Sequence, residues 1–162
     1  MAHPIDTRHL RNALGRFTTG VTIISCVDEA GAYIGLTANS FNSLSLDPAL
    51  VLWSLREPSP SLEAFLTAPR FAVNVLAEAQ VDLSRRFASV AEGRFAQGAW
   101  ALGKHGAPVL AGCTAVFECE TVSQQIAGDH RLFIGRVLAC SESALSPLVF
   151  QAGHYRMLGE IL

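Results

Sequence analysis

The sequence predicts a mainly β fold, a Greek-key-like closed barrel with a few short helices on its rim. Three observations lead there. Apolar, β-branched segments recur between turn signals, at residues 21–27, 33–41, 50–55, 71–76, 115–125 and 130–140, and runs of that kind are strands. Helical spacing is confined to short stretches. The regular strand–helix alternation that builds a parallel sheet is missing. A chain of 162 residues can bury a core without staples, and no linker, composition break or repeat divides it, so a single domain over residues 1–162 is expected.

In chain order, residues 7–17 read as an amphipathic helix, with Leu10, Ala13, Leu14 and Phe17 at helical spacing before Thr18, Thr19 and Gly20 end it. Residues 21–27 and 33–41 flank the turn-like Asp28-Glu29-Ala30-Gly31 and predict a hairpin. Asp47-Pro48 marks the next turn. Residues 50–55, LVLWSL, form a near-continuous apolar run of the kind buried on both faces. Ser59 followed by Pro60 predicts a helix start, an N-cap with proline at the first helical position, and Glu63 falls in the favourable first turn. That helix stops before Pro69. Residues 71–76 are a further buried strand, residues 81–88 a short helix carrying Arg85 and Arg86, and residues 89–107 a Gly-rich loop. Segments 115–125 and 130–140 form a second hairpin around IAGD, and short strands at 148–151 and 154–158 close the chain. The count is roughly six to eight strands with two or three short helices.

Composition narrows the function classes. Half of the residues are hydrophobic and the mean hydropathy is +0.32, high for a small monomer with much surface to cover. A flat apolar face buried against a second copy resolves this. No apolar run reaches the roughly 18 residues of a membrane span, and the polar N-terminus of mixed charge is unlike a signal peptide, so a cytoplasmic protein is expected. A net charge of −2 without any basic run leaves no electrostatic basis for nucleic-acid binding. Cys26, Cys113, Cys119 and Cys140 lack CxxC spacing and lie in strand-like or apolar contexts, so all four read as reduced core residues. None of the five histidines has the spacing of a metal ligand, and no metal is expected. GxSxG, HExxH, a Walker loop and a GxGxxG between strand and helix are all absent, which closes the hydrolase and Rossmann routes.

What remains is polar residues in apolar company. LTANSFNSLSLDP, residues 36–48, concentrates small hydroxyl and amide side chains between apolar flanks. Ser54, Ser59 and Ser61 form a second group. Such side chains let a ligand approach the backbone, whose N–H groups bind the polar edge of a planar ring; the plainer reading is an exposed strand face. A helix starting at Ser59 or Pro60 offers free N–H groups to a phosphate, although an ordinary N-cap needs no ligand. GDHRLFIG delivers His130 to the head of a strand, where an imidazole donates to a carboxamide or stacks on a ring, or is simply a surface residue. Tyr155 in GHYRML is either a core tyrosine or one with its hydroxyl at the rim.

Taken in order, RNALGRFTTGVTIIS (11–25), LTANSFNSLSLDPALVLWSL (36–55), FAVNVL (71–76), GDHRLFIGRV (128–137) and GHYRML (153–158) resemble the flavin reductase-like family. This family includes the small reductase components of two-component flavin monooxygenases. The blocks span most of the chain in family order; residues 89–107 are poorly anchored. The resemblance implies a split β-barrel, usually a homodimer, that binds FMN or FAD and takes NADH or NADPH as hydride donor. It implies that Thr37, Ala38, Asn39, Ser40 and Phe41 lie along the isoalloxazine and ribityl chain, and that Leu44 and Leu46 anchor the Asp47-Pro48 turn into the barrel. Ser54, Leu55, Ser59 and Ser61 are expected near the flavin phosphate, His130 near the nicotinamide, and Tyr155 at the border of the same cleft. Arg86 and Phe87 join the cofactor contacts. The chain departs from many relatives in carrying Glu57 where a Lys or Arg stands near the phosphate loop, which leaves Arg56, Arg85 or Arg86 as substitutes.

The activity so implied is transfer of hydride from the nicotinamide to the flavin, with reduced flavin supplied to a separate monooxygenase. Such chemistry needs ring orientation rather than an acid–base dyad, consistent with the missing dyad. Two alternatives stay open on the residues: a flavoprotein that passes electrons to ferric iron or a corrinoid, and a non-catalytic flavin-binding dimer.

Overall fold

In the computed structural model, which describes residues 4–90 and 92–162, Asp6 caps the first helix by accepting a hydrogen bond from the Arg8 N–H at 3.0 Å. In chain order the elements are α1 (Thr7–Leu14), β1 (Thr19–Gly20), β2 (Thr22–Val27), β3 (Tyr33–Ala38), β4 (Asn42–Leu46), β5 (Ala49–Arg56), α2 (Leu62–Thr67) and β6 (Arg70–Val75). They continue with α3 (Val81–Ala88), β7 (Trp100–Leu102), β8 (Pro108–Leu110), β9 (Ala115–Ala127), β10 (His130–Glu142), β11 (Val149–Gln151) and β12 (His154–Arg156). The fold is mainly β. Its strands outnumber the expected six to eight, which included the short closing strands now seen as β11 and β12, because β4 lies in the polar stretch and β1, β7 and β8 are only two or three residues long, too short for a period-2 pattern to accumulate.

Seven strands form one antiparallel sheet in the order β3-β2-β6-β9-β10-β5-β4. The expected closed barrel is not what the ladder shows: among the described residues its hydrogen bonding ends at β3 on one side and β4 on the other. A side chain takes over where the ladder stops. The Ser40 hydroxyl, in the link between β3 and β4, donates to the Ser54 carbonyl at 2.9 Å and accepts from the Ser54 N–H at 3.0 Å, tying the end of β3 to β5. The long hairpin of β9 and β10 lies at the centre, and its register sets His130, the first residue of β10, opposite Arg56, the last of β5.

Two apolar clusters support this sheet. In one, α2 packs Phe65 against Trp53, Phe71 and Phe133, with Trp53 stacked on Phe133 at 4.6 Å. In the other, Val21, Ile23, Leu76, Phe87, Leu110 and Leu148 meet below α3, with Phe95 and Trp100 partly buried against them. Between them Asn74, fully buried, donates to the Ile23 carbonyl and the Ser25 hydroxyl and accepts from the Leu110 N–H, so that β2, β6 and β8 are joined through one amide.

Several expectations need correcting. The first helix ends at Leu14 rather than at Phe17, with the Gly15 N–H closing on the Arg11 carbonyl. β5 is not buried on both faces: Val51, Trp53 and Leu55 are buried while Leu50, Leu52 and Ser54 are half-buried, the alternation of a strand with one core face. Leu44 and Leu46 do not anchor the Asp47-Pro48 turn, because both point outward and Leu46 is 97% exposed. Cys26, Cys113 and Cys119 are buried free thiols, but Cys140 is exposed on β10. No helix among the described residues is long and apolar enough to cross a membrane.

Candidate active site

A cleft of about 440 Å³ opens where the C-terminal ends of β3 and β5, the start of β10 and the end of α3 converge. β3 and the residues after it contribute Leu36, Thr37, Ala38, Asn39 and Ser40. β5 contributes Ser54, Leu55 and Arg56, and the loop behind it Pro58, Ser59, Pro60 and Ser61. Phe87, Ala88, Ser89 and Val90 close one side, and Arg94 and His130 complete the lining.

Ten of the residues singled out from sequence therefore share one surface: Thr37, Ala38, Asn39, Ser40, Ser54, Leu55, Ser59, Ser61, Phe87 and His130. Three do not reach it. Phe41 turns into the core and packs on Phe117 at 5.6 Å between ring centroids. Arg86 is committed to the carbonyls of Gly93 and Arg94. Tyr155 lines a smaller cavity of about 170 Å³ that shares Thr37, Asn39 and Ala88 with the cleft. Its hydroxyl pairs with the Ser84 hydroxyl at 2.8 Å, and the Thr37 hydroxyl donates to the Ser84 carbonyl at 2.7 Å.

The polar stretch thus has two duties. The hydroxyls of Thr37 and Ser40 are engaged within the fold, whereas Asn39 is exposed at the cleft. α2 begins at Leu62 behind Ser61, two residues later than expected, and Ser61 makes no side-chain cap. The Ser59 hydroxyl instead accepts from the Ser61 N–H at 3.3 Å, which organises the loop rather than the helix.

Positive charge comes from Arg56 and Arg94. Arg94 escaped the sequence reading because it lies in the weakly patterned segment 89–107, where neither periodicity nor a motif singles it out. Its guanidinium donates to the Gly35 carbonyl at 2.8 Å and to the Ser89 carbonyl, and among the described residues it makes no ion pair. Burial pulls its pKa down from the ordinary value, yet a guanidinium keeps its charge. Arg85 is held by Asp82 at 3.0 Å and lies over the Tyr155 ring. Glu57 is paired with Arg131 at 2.9 Å, so its charge is neutralised away from the cleft.

His130 meets Asp129 through Nδ1 at 2.7 Å, which holds the ring by one nitrogen. Hydrogen bonding from His130, then its charge, keeps the Asp129 carboxyl below its usual range, and Arg56 adds to the effect. Among the described residues no carboxylate lines the cleft, whose titratable groups are Arg56, Arg94 and His130. Apolar walls at Leu36, Leu55, Phe87 and Val90 complete a surface for a flat anionic ligand with a polar edge.

Residues 14–159 match the family model described as "Flavin reductase like domain". The chain belongs to that family. Among curated relatives, this flavin reductase-like chain is 47% identical over 154 residues to the "Probable flavin reductase" of Rhizobium meliloti (strain 1021), covering 95% of this chain and 50% of the relative. It is 42% identical over 148 residues to "Flavin-dependent trigonelline monooxygenase, reductase component" of Acinetobacter baylyi, covering 91% of this chain and 48% of the relative. It therefore spans about half the length of both. Among solved structures, the NADH:FAD oxidoreductase SgcE6 of Streptomyces globisporus, in complex with NAD and FAD fragments, superposes with a TM-score of 0.90 at 34% identity and covers 98% of each chain. The donor set of the cleft, hydroxyls, an amide and two guanidiniums without an opposing carboxylate, fits a flavin nucleotide.

Proposed function

We propose that this chain is an NAD(P)H:flavin oxidoreductase that reduces FMN or FAD and supplies the reduced flavin to a separate flavin-dependent monooxygenase. The observation that carries the reading is the cleft itself, whose titratable lining is cationic or imidazole and which sets Leu36, Leu55, Phe87 and Val90 beside small hydroxyl and amide side chains. The nicotinamide supplies a hydride and the flavin accepts it, so the protein's contribution is orientation and charge complementarity. Arg94 and Arg56 offer donors to the phosphate. Ala38, Asn39 and Leu55 line the ring and ribityl chain, and Phe87 supplies an apolar wall. His130, steadied by Asp129, presents its other nitrogen to the nicotinamide carboxamide.

The family membership supports a split β-barrel that forms one domain over residues 1–162. A homodimer is supported by the exposed apolar side chains of α1 and its flank, Leu10, Leu14 and Phe17, of which Phe17 is 78% exposed. The name of the Acinetobacter relative, a reductase component of a monooxygenase, supports the separate acceptor. A cytoplasmic location agrees with a reaction that consumes reduced nicotinamide nucleotides.

The test is a titration of the purified chain with FMN and FAD, followed by steady-state oxidation of NADH and NADPH with each flavin. Saturable flavin binding and flavin-dependent nucleotide oxidation are expected. A chain that binds flavin and oxidises neither nucleotide is a binding module, and one that binds no flavin has a different function.

A further inference from the structure

Arg94 stands in the cleft between an anchor and a hinge. Phe95, after it, is packed edge-on against Phe87 and Trp100, with ring centroids 5.0 Å and 4.7 Å away. Gly93, before it, lies in the left-handed region at φ +64°, where a glycine has wide conformational freedom. The aromatic cluster fixes the chain beyond Arg94, and the hinge has to be held by something else.

That hold comes from α3. The Arg86 guanidinium donates to the Arg94 carbonyl at 3.0 Å and to the Gly93 carbonyl, so one planar fork grips the peptide units on both sides of the Arg94 Cα. The Arg86 carbonyl works at the other end: it accepts from the Ser89 N–H at 3.3 Å and from the Ser89 hydroxyl at 2.8 Å, and the Ser89 carbonyl is in turn an acceptor of the Arg94 guanidinium. Both the backbone of Arg94 and one of its side-chain acceptors are thus tied to Arg86. Arg86 itself does not line the cleft, and among the described residues it makes no ion pair. Its hydrogen bonds order the neighbouring cation. A side chain ordered before the ligand arrives binds more tightly, because the loss of its freedom is no longer part of the binding free energy.

Building on the flavin reductase reading, we propose that Arg86 is a positioning residue for flavin binding: without touching the cofactor, it holds Arg94 in place for the flavin phosphate. Two consequences separate this role from a general one in stability. Loss of Arg86 matters only for a flavin that carries a phosphate, and its effect disappears once Arg94 is gone.

The test compares FMN with riboflavin, which lacks the phosphate, in fluorescence titrations of the intact chain. The wild type, Arg86→Met, Arg86→Lys, Arg94→Met and the double variant of Arg86→Met with Arg94→Met are measured, and the unfolding midpoint checks that each folds. FMN is expected to bind the wild type more tightly than riboflavin does. Arg86→Met is expected to weaken FMN about fivefold and to leave riboflavin within about twofold. Arg86→Lys keeps a donor but loses the fork, so it is expected to recover part of the FMN affinity; should Arg86→Met not fold, the same comparison is read on Arg86→Lys. The double variant is expected to bind FMN within about twofold of Arg94→Met alone, the non-additivity of residues that act through one another. The proposal is overturned if loss of Arg86 leaves FMN affinity unchanged, weakens FMN and riboflavin alike, or adds in full to the loss in Arg94→Met. A wild type that binds both flavins equally also overturns it, since the phosphate then makes no use of Arg94, while the flavin reading stands. Failure to bind either flavin removes the flavin reading itself.

Discussion

Arg94 braces the segment behind α3 against β3 through the Gly35 and Ser89 carbonyls while facing the cleft. Arg94→Met removes the charge, and flavin fluorescence titration should show the dissociation constant rising about tenfold or more, as charge-assisted hydrogen bonds are among the stronger kind. Arg94→Lys keeps the charge but loses the planar fork, so it should recover only part of that affinity. At His130 the expectation differs. His130→Ala should lower kcat/KM for the nicotinamide nucleotide about tenfold while flavin affinity changes little, because its proposed role is to orient the hydride donor; unchanged kinetics remove that role. These two residues also mark what was legible. His130 was readable because a turn motif delivers it to a strand head. Arg94 was not, because its place depends on a loop folding back onto β3, and Phe41, expected at the ring from the resemblance of its segment, is packed on Phe117 instead.

Among the elements, those of six residues or more were read best: residues 71–76 came close to the observed β6, and residues 81–88 matched α3. Strong periodicity and β-branched content mark such segments. The short closing strands expected at 148–151 and 154–158 are present as β11 and β12; β1, β7, β8 and the late start of α2 were not legible, since they are set by tertiary contacts rather than by local preference. The β9–β10 hairpin, which carries His130, depends on Gly135. A methyl group there would sit 2.8 Å from Phe71 Cε1 and 3.2 Å from Cys119 Cβ, all in the buried core. Gly135→Ala is therefore predicted to lower the unfolding free energy by about 1–3 kcal/mol, measured by urea denaturation. An unchanged midpoint means the ring of Phe71 can yield.

At the scale of the molecule, burial of thiols ties stability to pH. Burial pushes Cys26, Cys113 and Cys119 up to about 12 from 9.0. The unfolded chain then releases these protons first as pH rises above about 9, so stability is complete below that point and falls through the window up to about 12. The unfolding midpoint should drop across that range, and a thiol reagent at neutral pH should modify Cys140 before the buried three. The apolar side chains on α1 and its flank, with Leu14 at 64% exposure, call for a covering surface. Light scattering should give twice the chain mass, and Leu14→Glu should shift it towards the monomer. Hydropathy led to the expectation of such a face, and the exposed side chains of α1 and its flank are its proposed place.

The central claim is that hydride passes from a nicotinamide nucleotide to a flavin held in this cleft. Its most direct measurement is the anaerobic loss of the visible flavin absorbance when NADH or NADPH is added to protein and flavin together. The account predicts bleaching much faster with the wild-type chain than with flavin alone, and slowed in His130→Ala. Bleaching no faster with the protein than without it would contradict the account.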